Sequence, residues 1–513
     1  MKVVRSHIGG QWVAGEGRAT PLHDPTTGEV IAEVSTEGLD LAGGLEFSRA
    51  AGGALRAMSF AERGEALARM AKVVHGARDE LLDLSTKNNG ATRGDGKFDV
   101  DGASGTLMSY AALGKELGDR RYLLDGDPVQ LSRSPRFVGQ HVRVPLHGVA
   151  LHVNAFNFPA WGYAEKAAVA LLAGVPVVTK PAPATALVAE RMHELFVEAG
   201  VLPAGALSLV SGEPGDLVSH LRLGDLLAFT GSRATAARIR QQLAAADAGV
   251  RLTVEADSLN AAVLGPDVDP EGDTWGSFLF DVVRDVTQKA GQKCTAIRRV
   301  LVPREHVDRV VEELSERLGE VVVGDPALDK VRMGPVVSAQ QLAHVRAGVA
   351  RLLGVARPVR GSTEPTGLAG VEDGRGYFVT PVLLRADDSR AAALHSDEVF
   401  GPVATVIGYD GSVGDAVDLV RMGRGGLVSS VYSDDVDFAA ALGLGLAPWL
   451  GRVYLGGEKV AEHSPGPGAV FPTLVHGGPG RAGMGEELGG LRGLAHYTQR
   501  TAIQGYRPVI EKM

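Results

Sequence analysis

Apolar residues recur at three- and four-residue spacing through AERGEALARMAKVVHGARDELLDL, and this pattern predicts helices over residues from about 40 to 120. From Gly148 the texture changes to short apolar runs separated by amphipathic stretches. GVALHVN reads as a buried strand, WGYAEKAAVALLAG as a helix stopped by Gly174, VPVVTK as a strand, and ATALVAERMHELFVEAG as a helix closed by Gly200. LSLVSG, LLAFTG and VRLTVEA read as further strands, with PGDLVSHLRL and RATAARIRQQLAAA as the helices between them. This alternation predicts an α/β fold built on a parallel, doubly wound sheet with helices on both faces.

A second alternating run begins near Asp273 with the helix DTWGSFLFDVVRDVTQKA, passes through Cys294 into the strand RRVLVP, and continues to about Leu455. Gly- and Pro-rich punctuation marks a loop-rich segment before LRGLAHYTQRTAIQG. FVGQHVRVP alternates like a strand with two different faces.

Composition narrows the class. The 513 residues are 45% hydrophobic and 22% charged, with a formal net charge of −9, as in ordinary soluble globular proteins and with no general attraction to nucleic acid or anionic membranes. Lys2 and Arg5 are not followed by an apolar signal core. The most apolar stretch, AAVALLAGVPVV, is about a dozen residues, too short to span a bilayer. One cysteine cannot form an internal disulfide, which fits a reducing, cytoplasmic setting.

That cysteine, Cys294, lies in VTQKAGQKCTAIRRV just after a predicted helix end. A thiolate is a strong nucleophile when cations or a helix start lower its pKa, and a helix C-terminus does not, so Lys289 and Lys293 are expected to supply the positive field. Arg298 and Arg299 follow, either solvated or placed to attract phosphates.

The surrounding motifs resemble those of the aldehyde dehydrogenase superfamily over nearly the whole length. AGQKCTA is similar to the nucleophile segment, NAFNFPAWG to the Asn-Phe-Pro turn, and VVTKPAPAT to the strand and lysine loop. FTGS is similar to the phosphate turn, VEADSLN to the general-base segment, and DEVFGPV to the Glu-x-Phe-Gly-Pro signature. The resemblance implies a Rossmann-type nucleotide-binding domain, an α/β catalytic domain and a small oligomerisation arm. It divides the chain into 1–128 and 146–257 (nucleotide binding), 258–470 (catalysis), and 129–145 with 471–513 (oligomerisation element and tail).

By the same resemblance Cys294 is the nucleophile, Asn157 and the Cys294 backbone N–H meet the oxyanion, and Glu255 activates the deacylating water. Acylating branches that transfer to coenzyme A usually lack this glutamate, so Glu255 favours release of a free acid. Retention of all three residues argues against a non-catalytic relative. Gly231 and Ser232 would contact the cofactor phosphates, Lys180 the adenosine ribose and Glu398 the nicotinamide ribose, with Phe400 beside the ring. No metal is expected. Pro183 stands where NAD-preferring relatives often carry a glutamate, which points to NADP, with NAD as the alternative. Ala236 replaces a glycine common in relatives.

STEGLDLA, VRMGPVVS and HGGPGRAGMGEELGGLRGLAHYTQRTAIQG narrow the likeness to the branch that oxidises coenzyme A-linked semialdehydes from aromatic ring opening. A hydratase-fused form exists in that branch. The sequence stops at Met513 without such a segment, so a stand-alone dehydrogenase is expected. GRVYLGG carries glycines where relatives commonly have an asparagine beside the aldehyde tunnel. The expected reaction is oxidation of an unsaturated acyl-coenzyme A semialdehyde to the carboxylate, with free aliphatic or aromatic aldehydes as the alternative. A homodimer is expected, with a tetramer as the second option.

Overall fold

The computed structural model describes residues 1–246, 248–485 and 489–513. The helical pattern of the first 120 residues resolves into four helices, Leu41–Ala57, Phe60–Gly76, Arg78–Asn89 and Arg93–Leu117. Their starts follow from local chemistry. Asp40 and Thr92 accept backbone N–H groups at two N-termini, and Ser59 with Glu62 forms a reciprocal capping box at a third.

The strands predicted from Gly148 onward build one sheet, in the order Arg251–Glu255, Leu226–Thr230, Ala150–Val153, Val177–Lys180, Leu207–Leu209. These five are parallel, and an antiparallel pair, Ser6–Ile8 and Gln11–Val13, completes the edge. Helices Trp161–Ala173 and Ala186–Glu198 fall where the periodicity put them. Gly174 ends the first in the left-handed region, φ 91°, where a side chain would be strained.

PGDLVSHLRL is not the expected α-helix; it holds a single 3-10 turn, Leu217–His220. Leu217 and Leu221 are buried at helical spacing, yet side chains capture the backbone groups a helix would pair internally. Arg49 Nη2 donates to the His220 carbonyl, and the Arg222 N–H donates to Asp225 Oδ2. Asp225 is itself buried and ion-paired to Arg49 at 2.6 Å, so the loop is fixed by tertiary contacts.

The second run forms another seven-stranded sheet, ordered Ala356–Arg360, Val382–Ala386, Val403–Tyr409, Arg299–Pro303, Ala261–Leu264, Gly426–Tyr432, Leu450–Gly456. All neighbours are parallel except the first pair. A three-stranded antiparallel sheet joins Thr498–Tyr506, Phe137–Pro145 and Leu123–Gln130. FVGQHVRVP is its central strand, and the strand Leu123–Gln130 runs across a boundary drawn at residue 128. No described helix is long and apolar enough to cross a membrane.

Candidate active site

The parallel sheet brings its strand ends to one edge. In register, Val153 pairs with Lys180 and with Phe229, and Thr230 pairs with Glu255, so the lysine, the phosphate-turn threonine and the carboxylate lie along one crevice. This is where ligands bind in open α/β sheets. The second sheet offers the opposite ends. Cys294 precedes Arg299–Pro303, Glu398 and Phe400 precede Val403–Tyr409, and these two strands are neighbours.

The path into Cys294 is unusual. Helix Asp273–Thr287 ends, and Lys289, Ala290 and Gly291 follow at φ 52°, 52° and 68°. Left-handed conformations at non-glycine residues cost on the order of 1–3 kcal/mol each and persist where the surroundings over-determine them. Here they do. The Gln292 side chain accepts from the Val337 N–H at 3.0 Å, and Asn260 Nδ2 donates to the carbonyls of Cys294 and Ala296 at 2.7 and 2.9 Å. At Gly291 a Cβ would lie 2.2 Å from the Gly401 carbonyl, so the nucleophile loop can pack on the Glu398 segment only as glycine.

Cys294 stands between two cavities. The larger, about 520 Å³, runs from Lys180, Pro183, Gly231 and Ser232 past Glu398 and Phe400 to Asn157, Glu255 and Cys294. The smaller, about 50 Å³, lies on the other side of the thiol and is walled by Phe98, Phe158 and Trp161, with Glu165, Lys166, Glu255 and His476. All nine residues singled out in the sequence therefore line one continuous space. Glu165, Lys166 and His476 were not singled out. His476 sits in a quoted C-terminal motif that carries no role from spacing alone, and Glu165 lies within an apolar helix. Glu486, Glu487 and Leu488 of that motif lie outside the described residues.

The electrostatics correct one expectation. Lys293 is ion-paired to Asp285 at 2.6 Å with both side chains fully buried, and Lys289 faces Asp99 at 3.9 Å and the Phe158 ring. Neither lysine serves the thiol. Burial, and then the carboxylates of Glu255, Glu165 and Glu398, push the Cys294 thiol well above its ordinary pKa. Burial also raises Glu165 and Glu398 to about 7. Glu398 is held by the Ser258 N–H at 3.1 Å and faces Arg298 at 3.8 Å.

Arg298 and Arg299 fit neither expected reading, since they are 5% and 2% exposed. Arg298 donates to the carbonyls of Gly401 and Lys293, and Arg299 to those of Leu259, Leu419 and Val420. They hold loops together and cannot reach an incoming phosphate. Ala236 is fully buried in the core beneath its helix, so its methyl group does not enter the groove.

The groove suits a dinucleotide. Lys180 is buried, its ammonium donates only to the Pro181 carbonyl among the described residues, and burial lowers its pKa to about 8. Such a group gains from a polar ligand. Glu213 is the acid whose charge bears on it.

Comparison with known proteins agrees with this geometry. The model of the aldehyde dehydrogenase family matches residues 12–503. The chain is 45% identical over 476 residues to 3,4-dehydroadipyl-CoA semialdehyde dehydrogenase of Aromatoleum evansii, covering 92% of each protein. It is 29% identical over 500 residues to the non-phosphorylating aspartate-semialdehyde dehydrogenase of Halomonas elongata, covering 96% of this chain and 94% of that one. In fold it is similar to a point mutant of betaine aldehyde dehydrogenase from Staphylococcus aureus in complex with NAD+, with a TM-score of 0.84, 24% identity, and 98% and 96% of the two chains covered.

Proposed function

Because the chain belongs to the aldehyde dehydrogenase family, an enzyme family that uses NAD or NADP, we propose that it oxidises a coenzyme A-linked unsaturated semialdehyde to the carboxylate, with NADP preferred. The observation that carries this reading is the placement of Cys294 between a dinucleotide-sized groove and a narrow aromatic cavity, with Glu255 lining both. The substrate class rests on the 45% identity to a coenzyme A semialdehyde dehydrogenase over 92% of both chains. The slot between Phe98, Phe158 and Trp161 suits a flat, unsaturated carbon chain.

Cys294 Sγ adds to the aldehyde carbon. Its thiol is protonated at rest, so the attack needs a base, and a Glu255 oxygen lies within 4.8 Å of the sulfur. The charge forming on the carbonyl oxygen is met by the Asn157 amide and the Cys294 N–H. When bound, the nicotinamide cofactor supplies the hydride acceptor. Lys180, Gly231 and Ser232 hold its adenosine and phosphate portion, Glu398 the second ribose, and Phe400 limits the ring's freedom. With its first proton passed to solvent, Glu255 then takes a proton from water, which attacks the Cys294 thioester; the carbon–sulfur bond breaks, the acid leaves, and Glu255 returns its proton to the thiolate.

Pro183 supports NADP, because a proline there has no carboxylate to repel a 2′-phosphate, and Lys180 supplies a cation. The three-stranded sheet supports a homodimer, since Leu124, Val129, Phe137 and Tyr506 expose large apolar surface on or beside it. Light scattering is expected to give twice the mass of one chain.

The decisive experiment compares kcat/KM for a coenzyme A semialdehyde, generated in situ by ring hydrolysis, with that for hexanal and benzaldehyde. At least a hundredfold preference for the thioester substrate is expected. Equal turnover of free aldehydes would keep the chemistry and discard the substrate class.

A further inference from the structure

Three different metal-ligating atoms converge at the nucleophile. His476 Nε2 lies 3.8 Å from Cys294 Sγ and 3.7 Å from Glu255 Oε2, and all three donors fall within 4.8 Å of one another. In a tetrahedral zinc site with ordinary bond lengths, such donors stand roughly 3.3–3.7 Å apart, so the two His476 distances nearly match, and the Cys294–Glu255 pair, within 4.8 Å, needs a closure of up to about 1 Å that a side-chain rotation supplies. We infer that Cys294, His476 and Glu255 form a binding site for Zn2+ or a similar borderline-soft divalent cation, whose occupation reversibly blocks the enzyme.

The chemistry of the pocket favours this ion. The ring nitrogen Nε2 of His476 faces both other donors. Thiolate, imidazole and carboxylate are the donor types that zinc binds. Lys166 and Arg452 bear on His476 with positive charge and temper the attraction. On binding, Cys294 loses its proton to solvent as the sulfur–metal bond forms, so affinity rises with pH.

His476 Nδ1 has no hydrogen-bond partner among the described residues. Ligating histidines usually donate that second N–H to a neighbour, and losing such support typically costs 10–100-fold in affinity. A reversible, regulatory occupant fits that deficit better than a resident one. Bound metal takes the sulfur lone pair and the Glu255 oxygen, and that inhibitory consequence rests on the roles proposed above for these two residues.

The test is titration of the purified full chain with Co2+, without cofactor or aldehyde, followed by displacement with Zn2+. A single equivalent with a thiolate-to-cobalt charge-transfer band in the near ultraviolet is expected. The band should vanish in Cys294→Ser, and His476→Asn should weaken binding at least about tenfold. Circular dichroism checks that both variants are folded, and Glu255→Gln serves if His476→Asn is not. Absence of the band, its survival in Cys294→Ser, or unchanged affinity in the folded His476→Asn or Glu255→Gln variant overturns the site. Aldehyde oxidation is measured separately in metal-free buffer, so a wrong substrate class leaves the titration unaffected.

Discussion

Lys293 Nζ sits 2.6 Å from Asp285 Oδ1, both side chains wholly buried, one residue before Cys294. The same ammonium donates to Gln288 Oε1 at 2.9 Å. The cation nearest the thiol in sequence is thus consumed in tying the loop to the helix that precedes it.

Breaking that pair should cost stability. Asp285→Ala leaves a buried ammonium without its anion and is expected to destabilise by about 3–5 kcal/mol, while Asp285→Ala with Lys293→Met should recover much of the loss. Denaturant unfolding midpoints measure both. A single variant as stable as the parent would mean water reaches the pair.

Asn157→Ala should lower kcat about 10²–10³-fold if its amide meets the oxyanion. Glu255→Gln should act later, slowing steady-state turnover about 10²–10⁴-fold. Rapid-mixing traces with this variant at alkaline pH, where solvent base deprotonates Cys294 in place of Glu255, should show a burst of reduced cofactor and then a slow phase, because the acyl-enzyme accumulates. A trace with neither burst nor turnover would make Glu255 indispensable to the first step.

The thiol's reactivity should rise with pH beyond the ordinary range for cysteine. Burial and the three surrounding carboxylates all disfavour the thiolate, so alkylation of the free enzyme by iodoacetamide should be slow near neutrality and still climbing where an ordinary thiol has levelled off. Glu165 has its own pKa raised to about 7, so its negative charge acts mainly above that pH. Glu165→Gln should therefore speed alkylation at pH 8 more than at pH 6. A plateau below the ordinary thiol pKa would contradict this electrostatic reading.

Pro183→Glu places a carboxylate in the groove that Lys180 also lines. The ratio of kcat/KM for NADP over NAD is expected to fall on the order of tenfold, about 1.4 kcal/mol. An unchanged ratio would assign cofactor choice to other residues, with Glu213 the first to test.

The parallel strands of the first sheet, and the helix and strand on either side of Cys294, were legible because period and punctuation are local. RATAARIRQQLAAA is the helix Arg233–Ala246 to the residue, and VPVVTK contains the strand Val177–Lys180. PGDLVSHLRL failed because Arg49, far away in sequence, takes one of its carbonyls. The residue types of the site were equally legible, since Cys294, Asn157 and Glu255 stand in ordered motifs.

The sequence by itself determined an α/β chain that carries Cys294, Asn157 and Glu255 in ordered motifs beside separate strands. Only the tertiary structure decided which charges those groups feel. Lys289, Lys293, Arg298 and Arg299 cluster around Cys294 in the chain, yet each points to a partner elsewhere, while Glu165, Glu398 and His476 arrive from distant segments. Coulomb interactions and burial depend on distance through space, and proximity along the chain is a poor guide to them once a helix ends and the backbone turns left-handed before the thiol.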